Sequence, residues 1–487
     1  MKGGCDVQQK VRKVLEYLDS KGVRYADARH EEHISQEIVA ENGVLKSISL
    51  ETSVGTGIRV LYENGWGFAA TDEKGNEALI RAAQKALETA IASNRRSKSK
   101  VELAEEPVHK ANFNSPVIKD PFTVPEGEKV DLLRKVTSEM TRTESVKRAM
   151  GTMRFRKIEK LFLSTEGSEI NQSITVSGAG ISATAIGESG FQVRSYPSSF
   201  GGDYSTKGWE FIQNMNLLDK APEIASEADA LVKAEEITPG EYDVVISGNQ
   251  LALQVHESCG HPTELDRVLG SELSLAGGSF LTLDKVGTLK YGSDVVNIVA
   301  DATVEGGLGS FGYDDEGVEA QKSFLVKNGV FVGYLMDRQT ASTIGVRSNG
   351  ASRADSWSHV PIIRMTNINL LPGNYSFDEL ISGIDYGFLL DTNKSWSIDD
   401  LRLNFQFATE IAYEIKAGKL TGKIFKNPVY YDITPSFWNK CDGISNEKHW
   451  RVWGVPNCGK GQPMQVMHVG HGTAPARFRG LKVGVKK

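Results

Sequence analysis

Apolar residues return at helical spacing in "VQQKVRKVLEYLDSKG", where Val7, Val11, Val14 and Leu18 share one face and Gly22 ends the run. The same period predicts helices in "EALIRAAQKALETAIASN" and "GEKVDLLRKVTSEMTR", and another over roughly 222–236, with a polar, proline-bearing connection around 95–125. Elsewhere the pattern switches to alternation. "ENGVLKS" and "ENGWGFA" place Asn-Gly between alternating runs, which signals hairpins. "RKIEKLFLSTEGSEINQSITVSGAGISATAI" alternates about a turn at Gly167. The second half reads mostly as strand and turn, with a hairpin tipped by Asn328-Gly329 and another pair of strands in "AYEIKAGKLTGKIFKNPVYY". No segment repeats at a fixed period. Hairpins dominate and βαβ units are absent, so the expected class is α+β on mixed or antiparallel sheets. An N-terminal α+β domain is expected over 1–237 and a β-rich C-terminal domain over 238–487, with the boundary at "TPGEYDVVIS".

Composition adds bounds. The chain has 487 residues, 40% hydrophobic and 24% charged, enough for two domains and a large core. A net charge of −6 gives no overall pull toward nucleic acid or an anionic membrane. The short basic runs "NRRSKSK" and "RFRGLKVGVKK" read as a solvated connector and tail. The N-terminus has no apolar signal core and no uncharged apolar run reaches about 18 residues, so the expected location is cytoplasmic, away from membranes. Cys5, Cys259, Cys441 and Cys458 are too few and too scattered for a disulfide framework, which leaves ligand or nucleophile as the role for a cysteine that matters.

Candidate chemistry concentrates in "LALQVHESCGHPTELD", residues 251–266. Histidines four apart share a helical face, but His256 and His261 are five apart and diverge by roughly 140° on a regular helix. A π-bulge would bring them back together. Pro262 supplies a local cause, because it has no N–H for the carbonyl of Ser258. Glu257 is placed to act on a metal-bound water without being a ligand. The pattern alone leaves two readings open, a metal site or two histidines and a glutamate that fell together on a partly buried helix. A tetrahedral catalytic zinc needs three protein ligands. Cys458, in the glycine-rich "VPNCGKGQP", is the strongest third candidate. Cys259 is expected on the packed side of the helix, and Glu264 and Asp266 as acceptors that orient His261. His468 and His471 are three apart, so strand alternation puts them on opposite faces and argues against a ligand pair. His359, Arg364 and Asn367 read equally as cleft lining or as a structural corner. "VEGGLGSFGYDDEG" lacks a G-K-[ST] ending and reads as a turn beside a sheet.

These residues resemble the TldD/PmbA family of peptidases, whose TldD branch carries H-E-x-x-x-H. The resemblance extends through "YADARHEEHISQEIVAENGVLKSISLETSVGTGIRV" at 25–60, "GWGFAATDE", "GYDDEGVEAQKSFLVKNGVFVGYLMDRQTA", "RADSWSHVPIIRMTNINLLPG" and "NCGKGQP", in order and across nearly the whole chain. It implies that His256, His261 and Cys458 hold zinc and that Glu257 is the general base. It also implies a broad-specificity peptidase acting on unfolded or extended peptides, paired as a homodimer or as a heterodimer with a PmbA-like chain. The wording departs from the family's usual "GHGLEGD", reading "GHPTELD" here, and His468 and His471 are not expected from the family; both are expected to be structural. Two rivals remain at this level: a hydrolase with Cys458 as nucleophile, and a non-catalytic regulator of the kind suggested by the family's early association with gyrase and toxin–antitoxin control.

Overall fold

The computed structural model describes residues 4–188 and 190–484; the side chain of Cys5 and the last three residues of the basic tail lie outside the described residues. The strands Tyr25–Glu41, Val44–Tyr62, Val146–Ser164 and Glu169–Gly187 form the body of an eight-stranded sheet. Asn42 and Gly43 both take positive φ, 51° and 78°, which closes the first hairpin with the twist its strands need. At the second Asn-Gly signal the loop falls on Glu63 and Asn64 instead, and Gly65 opens the strand Gly65–Thr71. Packing explains the shift: a Cβ on Gly65 would lie 2.2 Å from the Ala90 carbonyl, so only glycine admits the helix Asn76–Asn94 at that depth.

One face of this sheet is apolar and the other is charged. Ala26, Ala28, Ile38 and Ala40 point toward four helices, Gly4–Asp19, Asn76–Asn94, Glu126–Met140 and Leu217–Lys233, which cover that face in two clusters. The alternate positions Asp27, Arg29, Glu31 and His33 are buried too, but against the second half of the chain. There Arg59 bridges Asp27 at 2.6 Å and Glu316 at 2.7 Å, and Lys160 reaches Asp315 at 2.5 Å. The glycine-rich stretch 304–317 is therefore a turn that carries Asp315 and Glu316 into the first sheet, while Asp314 holds the turn itself by accepting from the amides of Glu316 and Val318.

The chain crosses into its second half between Lys233 and Gly240. Strand Tyr386–Ile398 pairs with Gly240–Ile246 on one side and with Asn404–Lys416 on the other. Pairing continues through Val429–Ile433 and Ala476–Val483 back to Gly240–Ile246, so five strands close into a barrel-like ring. Antiparallel pairs predominate, as expected, but Gly240–Ile246 with Tyr386–Ile398 and Lys110–Asn114 with Glu169–Gly187 are parallel. Such pairs are joined by long connections, which leave no hairpin signal in the sequence. Among the described residues no helix is long and apolar enough to cross a membrane.

Two features of the barrel domain position the candidate site. The helix Gly248–Val255 leaves Gly240–Ile246 after one residue and is buried along its whole length. A separate hairpin, Arg451–Lys460 with Gln465–Thr473, packs beside it. Asp203 of the first half anchors that hairpin, accepting from the Gly454 amide at 2.7 Å and from Arg451.

Candidate metal centre

At His256 the helix widens. Residues His256–Gly260 form a π segment in which the His261 amide donates to the His256 carbonyl, five residues back, and His261–Thr263 then tightens into a 3₁₀ turn. Pro262 leaves the Ser258 carbonyl without its helical donor, and the Tyr291 hydroxyl fills the vacancy at 2.7 Å. Gly260 lets Met365 press on the widened turn, since a Cβ there would lie 2.3 Å from the Met365 sulfur. The outcome is convergence: the rings of His256 and His261 stand 4.8 Å apart, nearly perpendicular.

Cys458 joins them from the hairpin. One donor atom from each of His256, His261 and Cys458 lies within 4.8 Å of the others, and all three residues are buried. Cys458 Sγ is 3.8 Å from His261 Nε2. A tetrahedral zinc with bonds of roughly 2.3 Å to sulfur and 2.0 Å to nitrogen would separate those atoms by about 3.5 Å, close to the spacing found here. Burial alone would push the Cys458 thiol up, but His261 and Arg364 outweigh it and hold the thiol below its usual value, toward the thiolate that a metal prefers. Cys259 goes the other way, raised by burial in the core. Two nitrogens and a thiolate form a donor set suited to zinc.

The surroundings hold this set in place. His261 Nδ1 meets Glu264 at 3.1 Å, and Glu264 is in turn ion-paired to Arg267 at 3.3 Å and Lys460 at 3.5 Å. Despite complete burial, Lys460, His261 and Arg267 keep the Glu264 carboxyl well below the usual range. Asp266 binds Lys460 at 2.8 Å rather than a histidine. Arg364 donates to the backbone carbonyls of Cys458 and of Gln465, bracing the hairpin from behind. His359 lies elsewhere, its carbonyl accepting from Arg29, and Asn367 ties Asp301, Gly309 and Ser310 together.

Glu257 has partners that the sequence did not reveal. Trp396 Nε1 donates to one carboxylate oxygen at 3.0 Å and Arg402 Nη1 to the other at 3.0 Å. Burial raises this carboxyl, but His261, His256, Arg402 and the Trp396 hydrogen bond together bring it below the ordinary glutamate value. Trp396 and Arg402 sit 139 and 145 residues from Glu257, at the end of one barrel hairpin, and Arg402 holds a left-handed φ of 63°. Backbone strain of this kind is tolerated where surrounding contacts enforce it. The Trp396 ring also faces Phe200 at 5.8 Å, beside a cleft of about 400 Å³ lined by Ser195, Ser198, Asn393, Lys394 and Glu410.

His471 is the third residue missed. It lies on the same side of the hairpin as Cys458 and meets His256 Nδ1 at 2.8 Å. His468 points the opposite way, into the cavity between the two halves beside Arg156, as strand alternation requires. The sequence signal was the alternation itself, which separated the two histidines without indicating which face met the helix.

Known proteins resemble this chain along nearly its whole length. Models of the PmbA/TldA metallopeptidase domain 1, central domain and C-terminal domain match residues 26–90, 119–235 and 239–484. A metalloprotease of Methanocaldococcus jannaschii is 31% identical over 85% of this chain and 87% of its own length. A zinc metalloprotease TldD homolog of Saccharolobus solfataricus is 25% identical over 97% of this chain and 99% of its own. Among solved structures, a Thermotoga maritima protein named as a candidate modulator of a DNA gyrase has a TM-score of 0.78 at 18% identity, covering 98% of this chain and all of its own. TldE from Thermococcus kodakarensis has a TM-score of 0.71 at 18% identity, with the same coverage.

Cobalt(II) gives a direct reading of the donor set. Added to metal-free protein it is expected to produce a near-ultraviolet thiolate-to-metal absorption that Cys458→Ser abolishes and Cys259→Ser leaves intact; persistence of the band in Cys458→Ser would remove the thiol from the site.

Proposed function

The chain belongs to the PmbA/TldD family of metallopeptidases, and from that premise we propose that it hydrolyses unfolded or extended peptides at a zinc site formed by His256, His261 and Cys458, with Glu257 as general base. It is a metalloprotease, a hydrolase of peptide bonds. The observation that carries the reading is the convergence of three buried metal-binding side chains from opposite ends of the second half, with a buried carboxylate on the next residue.

When bound, zinc supplies Lewis acidity that makes a water acidic near neutral pH and polarises a carbonyl. Glu257 accepts the water's proton at a carboxylate oxygen and returns it to the leaving amine. Trp396 and Arg402 hold that carboxylate in one orientation and favour its ionised form, so the base is ready without a side-chain rearrangement. The cleft near Phe200, lined by Met150, Ile181 and Val193 together with several serines and glycines, has room for an extended chain held mainly through its backbone, a reading that supports broad specificity.

The proposed partner is a second chain, either another copy or a PmbA-like one. Residues 44–53 of Val44–Tyr62 pair on one side only, because Gly65–Thr71 covers 56–62, and they leave Val44 57% and Leu50 64% exposed. An open edge of this kind favours pairing with another chain. Sedimentation should show a dimer, alone or with a PmbA-like chain added, that Leu50→Lys weakens; a monomer under both conditions would exclude this assembly.

Glu257→Gln should keep stoichiometric zinc while kcat falls by about 10²–10⁴-fold, the usual loss for an acid–base group. Full activity with zinc retained would eliminate Glu257 as the base. Arg402 favours the carboxylate, so Arg402→Gln should raise the Glu257 pKa. The working form is then lost at a higher pH as the medium is acidified, and the acid limb of kcat/KM should move upward in pH. An unmoved limb would show that Arg402 does not tune the base.

A further inference from the structure

We infer that His471 is a positioning residue that fixes the ring tautomer of His256, leaving the Nε2 lone pair of His256 free for the metal, and that the main-chain carbonyl of Ile368 sets this arrangement. The inference rests on the zinc reading above and adds to it a residue outside the donor set. His256 Nδ1 and His471 Nε2 are 2.8 Å apart, and His471 Nδ1 is 3.3 Å from the Ile368 carbonyl oxygen. A carbonyl can only accept, so His471 carries its hydrogen on Nδ1. A neutral imidazole has a single N–H, so His471 Nε2 is then an acceptor. His256 must therefore donate from Nδ1, and its remaining nitrogen, Nε2, has a bare lone pair. His261 presents Nδ1 to Glu264 and Nε2 to Cys458.

The neutral state of His471 follows from its setting. The residue is fully buried, and among the described residues no carboxylate hydrogen-bonds to it. An unpaired charge there would carry a large desolvation cost. The position of the Ile368 carbonyl is also fixed. Gly470 and Gly472 flank His471: the Gly472 amide donates to Asn369 Oδ1 at 2.6 Å, and the Gly470 amide to the Thr366 carbonyl at 3.2 Å. The two asparagines Asn367 and Asn369 bracket Ile368, and a Cβ on Gly470 would lie 2.1 Å from Asn367 Oδ1. Strand and hairpin thus meet too closely for His471 to turn away.

Ligating histidines usually donate their second N–H to a carboxylate, a carbonyl or water. Here a second imidazole takes that place, with the carbonyl one step further out. The hairpin that delivers the thiol of Cys458 also delivers the ring that orients His256, so a single docking event completes both.

The test uses the full chain and zinc affinity, measured by competition with a chromophoric chelator. His471→Phe keeps the ring volume and removes the acceptor; it should weaken zinc binding by about 10–100-fold. His471→Gln can accept from His256 through its amide oxygen and donate toward Ile368 through its nitrogen, so it should recover affinity to within a few-fold of wild type. A purely structural role would shift the unfolding midpoint of both variants without separating their zinc affinities. Wild-type affinity in the folded Phe variant, or equal losses in Phe and Gln, would overturn the inference. Wild type is measured first: if it holds no stoichiometric zinc, the zinc reading itself fails and takes this inference with it.

Discussion

Pro262 has no N–H to give the carbonyl of Ser258, and the helix that begins at Gly248 accommodates this by widening one turn before it. A π turn is unfavourable in isolation, so it persists only where neighbours stabilise it. Three do so here. Tyr291 satisfies the Ser258 carbonyl, Trp438 binds the Ser258 hydroxyl at 3.0 Å, and Met365 occupies the space left by the missing side chain of Gly260. All three come from outside the helix, so the widened turn is held by contacts from distant parts of the second half of the chain. With a regular helix His256 and His261 would point apart, and neither Cys458 nor His471 could complete the site.

The first domain contributes at a distance. Its charged sheet face holds the acidic turn of 314–316, and its Asp203 fixes the hairpin that carries Cys458. Buried ion pairs of this kind are weak evidence for stability, because desolvation offsets much of their attraction. Their geometry is more informative. Arg59 is held by one carboxylate from each half of the chain, and Arg194 by Glu227 of the first half with Asp391 and Glu410 of the second, so the two halves are registered against each other at two separate places.

Much of this was legible in the residues. Helical and alternating periods located Asn76–Asn94, Glu126–Met140, the strands on either side of Gly167 and the Asn328-Gly329 hairpin, because local patterning dictates local elements. The five-residue spacing with proline after it indicated an irregular helix. Trp396, Arg402 and His471 could not be found this way. They reach Glu257 and His256 across 139, 145 and 215 residues through barrel closure and one hairpin docking, and nothing in their immediate sequence distinguishes them from other strand residues. The parallel pairs were hidden for the same reason: their strands are joined by connections too long to leave a turn signature.

Charge around the site now gives a further step. The carboxylates close to the donors are Glu257, Glu264 and Asp266, beside the Cys458 thiol that is held below its usual value; the cations bonded to them or to the Cys458 backbone are Arg402, Arg267, Lys460 and Arg364. A divalent cation bound there adds a net positive charge in a buried setting, where screening is weak and electrostatic effects are large. That surplus favours loss of a proton from a nearby water and stabilises negative charge developing on a carbonyl oxygen. In the proposed reaction, moving the proton to Glu257 would leave the total unchanged but remove the partner of Arg402, whose guanidinium would then stand unpaired beside the reacting centre. In that proposal the pair formed by Glu257 and Arg402 would couple proton uptake to the appearance of a free positive charge at the moment that negative charge builds on the substrate.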